Sequence, residues 1–235
     1  IATVKRYTDS TGSDNEIKAL PSDDDASSEG KSKSSRAKIV SLAYTDSLTR
    51  LGNQQRMMEK YTSIVNDRKA TQKPFMIGVI NMDGMKPIND LYGFEGGDEI
   101  LKQCAQRLSA AIDNDGYVFR TRGDEFGFLL PDVQDHETAK NMGKILQEVL
   151  QAPFDLGGST VRLSGSAGFA LYPEAGEEFD AVMRNVDSAL YHSKRSGRGR
   201  VSVFSGEIEE LILENARIEQ ALRRAIANNE VRPHF

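Results

Sequence analysis

Asp124 and Glu125 stand within Arg122-Gly123-Asp124-Glu125-Phe126, between the apolar runs Tyr117–Phe119 and Phe126–Leu130. A run, a Gly-Asp turn and a second run predict a β-hairpin with the carboxylates at its tip. Carboxylates so placed can hold a divalent cation beside a phosphate. A second group, Asn81 to Asp90 (Asn-Met-Asp-Gly-Met-Lys-Pro-Ile-Asn-Asp), follows the apolar run Phe75–Met82. Ligands of α/β sheets collect beyond the carboxyl ends of strands. Asn89 and Asp98 together have the groups to read the edge of guanine: an amide donates and accepts, a carboxylate accepts. Taken alone, Asn89-Asp90 is better read as a turn, and Asp98 as the cap of a helix beginning near Glu99. The third group is Lys194-Arg195-Ser196-Gly197-Arg198-Gly199-Arg200 at the end of a helical pattern. Its cations either complement the helix dipole or clamp phosphates, Lys as a point charge and Arg as a planar fork. Spacing does not decide between the two.

The elements that must position these groups are legible from periodicity. Residues 37–45 suggest a short leading helix, broken by Asp46 to Asn53, with a helix at about 53–68. Phe75–Met82 is a short continuous apolar run, as a buried central strand requires. Residues 99–112 are helical, with Leu101, Cys104, Ala105, Leu108 and Ile112 on one face. After the 117–130 hairpin, a helix at 136–151 turns Ala139, Met142, Ile145, Leu146 and Val149 inward. Val161, Leu163, Ala167 and Phe169 alternate as a strand. A helix at about 177–195 carries Phe179, Val182, Met183, Val186 and Leu190, and a last strand covers 200–204. Residues 206–229 predict a long helix with Ile218, Ala221, Leu222, Ala225 and Ile226 as its stripe. Strands and helices intermix around one hairpin, which predicts an α/β fold: a mixed central sheet flanked by helices.

Composition bounds the function. The 235 residues are 38% hydrophobic and 28% charged, ordinary for a protein with a real core. A net charge of −5 argues against bulk nucleic-acid binding. Cys104 is the only cysteine, so no internal disulfide forms, and a reducing, cytoplasmic setting fits. Its apolar face reads as a buried small hydrophobe. No apolar run approaches the roughly 20 residues that span a bilayer, and the first residues lack a signal-peptide pattern. Residues 1–36 read as a flexible polar linker, since 8–36 hold too few large apolar side chains to offset their ordering. Ile1–Arg6 has the β propensity of a strand ending an upstream domain.

Together the motifs resemble the GGDEF family, which makes cyclic di-GMP from two GTP molecules. Asp46 to Asn53 (Asp-Ser-Leu-Thr-Arg-Leu-Gly-Asn) is similar to its opening motif D-x-L-T-G-L-x-N. Met82–Asp90 resembles its strand-end motif, and Gly93–Leu101 its G-H-x-x-G-D-x-x-L segment. Asp187 to Lys194 with Gly197-Arg198 resembles its closing A-D-x-A-L-Y-x-A-K-x-x-G-R-N motif. The resemblance covers about 42–204 and implies a GGDEF-like domain at 37–205. It implies guanine contacts at Asn89 and Asp98, and phosphate contacts at Lys86, Lys194 and Arg198. It further implies Mg²⁺ held by the strand-end position, Asn81, and the loop position, Asp124, with Asp124 and Glu125 as the catalytic pair of the signature.

Two departures from the family pattern bear on chemistry. Asn81 replaces a carboxylate, keeping a carbonyl oxygen but losing the charge that Mg²⁺ favours. Arg122 replaces the first glycine of the signature, where an arginine can pair with a phosphate or carboxylate but would take substrate space; as a surface hairpin residue it would change nothing. The family's R-x-x-D product site falls on Asp113-Asn114-Asp115-Gly116 and is absent. These losses, with the guanine contacts retained, predict a degenerate cyclase that regulates rather than synthesises. The alternatives are an active cyclase working as a homodimer, and a nucleotide-free interaction domain. Ala216 to Glu230 resembles the opening helix of EAL phosphodiesterase domains, with Val231–Phe235 like the strand that follows. Residues 206–235 therefore predict a connector helix and the start of an EAL domain, the adjacent partner that the GGDEF–EAL resemblance implies.

Overall fold

The computed structural model describes residues 43–228 and 230. Expectations for 1–36, for the start of the leading helix and for Val231–Phe235 lie outside the described residues. Among those described, no helix is long and apolar enough to cross a membrane.

Helix α1 (Gln54–Arg68) starts where Asn53 caps it, the Asn53 side chain accepting the Arg56 N–H. Strand β1 (Phe75–Asp83) follows, then α2 (Met85–Ile112). The hairpin β2 (Tyr117–Arg122) and β3 (Glu125–Leu130) leads to α3 (His136–Gln151). A small ribbon, β4 (Phe154–Leu156) with β5 (Ser159–Val161), precedes β6 (Ser164–Tyr172). Helix α4 (Phe179–Arg195), strand β7 (Val201–Val203) and helix α5 (Gly206–Ala227) complete the order.

The main sheet runs β2-β3-β1-β6-β7, antiparallel throughout except for the parallel β6–β7 pair. Strand β1 lies at its centre, which is why its sequence is a near-continuous apolar run. Alternate residues feed two cores. Met76, Ile80 and Met82 pack with Leu101, Cys104 and Leu108 of α2 and Leu146 of α3. Phe75, Ile77 and Val79 pack with Tyr61 of α1 and with Val182 and Val186 of α4. Helix α4 crosses β6 so closely that a Cβ at Gly168 would meet the backbone of Val186 and Leu190. The α/β class and mixed sheet expected from the sequence are those observed.

Several local expectations are corrected. Residues 85–92 form a first helical segment, which the periodicity did not announce, and Gly93, at φ 73° and ψ 175°, breaks it from the segment that follows. Asn89 therefore sits in a helix, not a turn, and Asp98 lies inside the second segment rather than capping it. The alternating strand expected over 161–169 is split at 161–164, and β6 is buried on both faces because α3 covers one face and α4 the other. On α3 the inward face is Ala139, Gly143, Leu146, Gln147 and Leu150, and Ile145 is exposed. Helix α5 has no buried residue, so its apolar stripe (Ile218, Leu222, Ile226) lies open.

Candidate nucleotide site

The two segments of α2, which follow the carboxyl end of β1, and the tip of the β2–β3 hairpin meet around a cavity of about 590 Å³. Met85, Lys86, Asn89, Asp90, Phe94, Gly97, Asp98 and Leu101 line it from α2, and Arg120, Gly123 and Asp124 from the hairpin. The kink at Gly93 folds the second helical segment so that Asn89 and Asp98 reach the same cavity. Asn89 is seated against Gly97, where a Cβ would collide with its side-chain oxygen. Phe94 stands at the cavity with 82% of its surface exposed, and neighbouring Leu91 with 73%.

Behind the hairpin tip lies a chain of polar contacts. The Asn81 side-chain N–H donates to Asp124 Oδ1 at 2.6 Å, and Lys194 Nζ donates to Asn81 Oδ1 at 2.8 Å. The Met82 N–H donates to the Asp124 carbonyl at 3.0 Å, so side chain and backbone both latch the tip to β1. Lys194 is carried there by α4, whose neighbouring Ser193 is buried and donates to the Ala167 carbonyl of β6 at 2.6 Å. Asp83 faces a different set of donors: the hydroxyls of Ser164 and Ser166 and the N–H of Gly199. It fixes the loop carrying Arg198, which is itself exposed with φ 56°.

The tip is also held from its other side. Arg120 donates to the Gly123 carbonyl through Nε at 2.9 Å and Nη2 at 2.7 Å, and to Asp46 Oδ1 at 3.0 Å. Burial alone would raise the Asp46 carboxyl, but the Thr49 hydroxyl and N–H and the Arg120 guanidinium hold it below its ordinary value. Arg122 does not line the cavity. Its guanidinium turns to Glu125 Oε1 at 3.3 Å and Asp187 Oδ1 at 3.5 Å. Glu125 is buried, accepting from the Thr121 hydroxyl at 2.6 Å. Burial pushes the Cys104 thiol up to about 12, which fits the inert core residue read from its helical face.

The structure thus brings Lys86, Asn89, Asp98 and Asp124 to one cavity, and joins Asn81, Asp124 and Lys194 beside it. Lys194, Arg198 and Glu125 do not line that cavity. Sequence reasoning did not single out Arg120, Asp83 or Phe94. Phe94 carried a signal, since it stands where the G-H-x-x-G-D pattern has His. Asp83 belonged to the strand-end motif, but its partner Ser164 lies 81 residues away; Arg120 carried no signal, because its partner Asp46 lies 74 residues away.

A family model described as diguanylate cyclase, GGDEF domain, matches residues 43–200. The chain belongs to the GGDEF family, a family of cyclic di-GMP signalling. The GGDEF domain of TpbB (YfiN) from Pseudomonas aeruginosa superposes with a TM-score of 0.68 at 30% identity, covering 72% of this chain and 99% of that one. The cyclic di-GMP phosphodiesterase PdeR of Escherichia coli K12 is 30% identical over 98% of this chain and 34% of its own length. The cyclic di-GMP phosphodiesterase NbdA of P. aeruginosa is 30% identical over 85% of this chain and 25% of its own length. The chain therefore spans about a quarter to a third of these relatives.

The Mg²⁺ that the GGDEF resemblance implies does not fit the donors present. Lys194 has only hydrogens to offer and the Asp124 carboxylate only lone pairs, so the Asn81 amide can satisfy both in one orientation alone. That orientation aims N–H, not oxygen, at Asp124.

Proposed function

We propose that this GGDEF domain binds GTP as a regulatory ligand, does not condense it to cyclic di-GMP, and controls an attached EAL phosphodiesterase domain. The observation that carries the reading is the Asn81–Asp124 hydrogen bond beside a cavity lined by both Asn89 and Asp98. The cavity has the groups for recognition: the Asn89 amide and Asp98 carboxylate for the base edge, and the Phe94 ring for its face. Lys86 and the amino-terminal end of α2 supply positive potential for phosphates. Joining the two GGDEF metal positions by an amide N–H removes the centre that would activate a 3′-hydroxyl and steady the leaving phosphate.

Control of an EAL domain is supported by the relatives. PdeR and NbdA are named cyclic di-GMP phosphodiesterases, and the likeness to PdeR runs over nearly the whole chain, α5 included. GTP shifts such an output only by favouring one arrangement of the connector over another.

Isothermal titration with GTP, paired with chromatography for cyclic di-GMP, tests the reading. Binding without product is expected, and no heat up to millimolar GTP overturns it. A second reading, an active cyclase acting as a dimer, draws support from Arg122, which turns to Glu125 and Asp187 and leaves Gly123 and Asp124 on the cavity. Product that disappears in Asp124→Ala would establish that reading instead.

A further inference from the structure

Asn81 lies between a fixed cation and a fixed anion, and its amide completes both. The Lys194 ammonium and the Asp124 carboxylate balance, so these three side chains carry no net charge to attract a dication. A carboxylate at position 81 would reverse this. Two carboxylates would then abut where the amide and Asp124 now stand 2.6 Å apart, and like charges at that distance call for a cation between them. An ion entering the present arrangement would have to displace the amide N–H and sit close to the Lys194 ammonium, which costs Coulomb energy. Asp83, two residues further along β1, has both oxygens engaged by Ser164, Ser166 and Gly199.

We propose that the Lys194–Asn81–Asp124 bridge takes the place of a divalent cation, and that the cavity accepts a nucleoside triphosphate in its metal-free form. The second clause rests on the GTP-binding reading above; the first does not. The bridge holds the hairpin tip against β1 whether or not metal is supplied. Phosphates are then met by Lys86 and the α2 terminus rather than by an ion.

Two measurements on the full chain separate the clauses. In the first, MnCl₂ alone is titrated without nucleotide, with free Mn²⁺ followed by its electron paramagnetic resonance signal and unfolding followed by heat at constant ionic strength. Wild type is expected to leave the signal undiminished and its Tm unmoved, and Asn81→Asp to bind the ion and gain Tm with it. Saturable Mn²⁺ binding by wild type that is lost in Asp124→Ala overturns the bridge. The wild-type signal decides this even if Asn81→Asp fails to fold. In the second, GTP affinity is compared in EDTA and in excess Mg²⁺. Equal affinity within about twofold is expected for wild type, and a loss of about tenfold or more in EDTA overturns metal-free binding. No binding in either buffer overturns the GTP reading and the second clause with it, while the Mn²⁺ measurement still decides the bridge.

Discussion

The Asn81 amide donates to Asp124 at 2.6 Å while accepting from Lys194 at 2.8 Å, so one side chain joins segments 43 and 113 residues away. Hydrogen bonds to charged groups contribute more than neutral ones, and a charge left without its partner costs more still. Asn81→Ala removes both bonds at a half-buried position. The expected loss is about 1–3 kcal/mol, partly offset if Lys194 and Asp124 move together. Urea unfolding of the two proteins measures it. A midpoint unchanged from wild type would mean that the bridge does not hold the hairpin tip.

Phe94 and Asn89 should affect nucleotide binding differently. An aromatic face stacks on any base, for about 1–3 kcal/mol, so Phe94→Ala should weaken GTP and ATP alike by about fivefold or more. An exposed side chain carries little folding energy, so stability should hardly change. Asn89→Ala removes the amide proposed to read the guanine edge, so on that reading it should weaken GTP and leave ATP near its wild-type value. Titration of both nucleotides into both variants separates a stacking face from a hydrogen-bonding edge.

Gly97→Ala tests the seating of Asn89. A Cβ there collides with the Asn89 side-chain oxygen and little else nearby. Alanine is favoured over glycine inside a helix by about 1 kcal/mol, which offsets the crowding. The variant should fold with wild-type circular dichroism and a near-wild-type Tm, yet lose about tenfold in GTP affinity as Asn89 is pushed aside. Undiminished affinity would remove Asn89 from the recognition set.

The parts of this fold that were legible in the sequence are those set by local periodicity. The apolar run Phe75–Met82 and the hairpin flanking Gly123-Asp124 announced β1, β2 and β3 because burial on a sheet imposes its own pattern. The 85–92 helical segment was hidden because Pro87, Asn89 and Asp90 weaken the helical signal, and only contact with the rest of the domain holds them there. Ile145 was placed inward because it sits one position from Leu146, and periodicity cannot fix the phase of a helix to a single residue. The site showed the same division. Asn81, Asn89, Asp98 and Asp124 were found from motif order, whereas the amide's orientation toward Asp124 follows from Lys194, far along the chain. For Arg122 a carboxylate partner was foreseen but not which one: Asp187, on α4, and Glu125 draw its guanidinium away from the cavity rather than into substrate space.

Asp46 gives a pH signature to the clamp on the hairpin tip. Its carboxyl is held below the ordinary value in the folded protein, against the raising effect of burial, by Thr49 and Arg120. A depressed folded pKa contributes stability above the unfolded value, near about pH 4, and loses it as pH falls through the folded pKa. Asp46→Asn keeps an oxygen for the Thr49 N–H but loses the charge facing Arg120. It should therefore cost about 1 kcal/mol at neutral pH, with the gap closing in acid as the wild-type carboxyl protonates. Urea unfolding across that range checks this, and a gap independent of pH would show that the lost contact is not ionic. Because Arg120 also holds the Gly123 carbonyl and lines the cavity, GTP affinity in Asp46→Asn should fall along with stability. A stability loss with unchanged affinity would show that the clamp on the tip does not depend on Asp46.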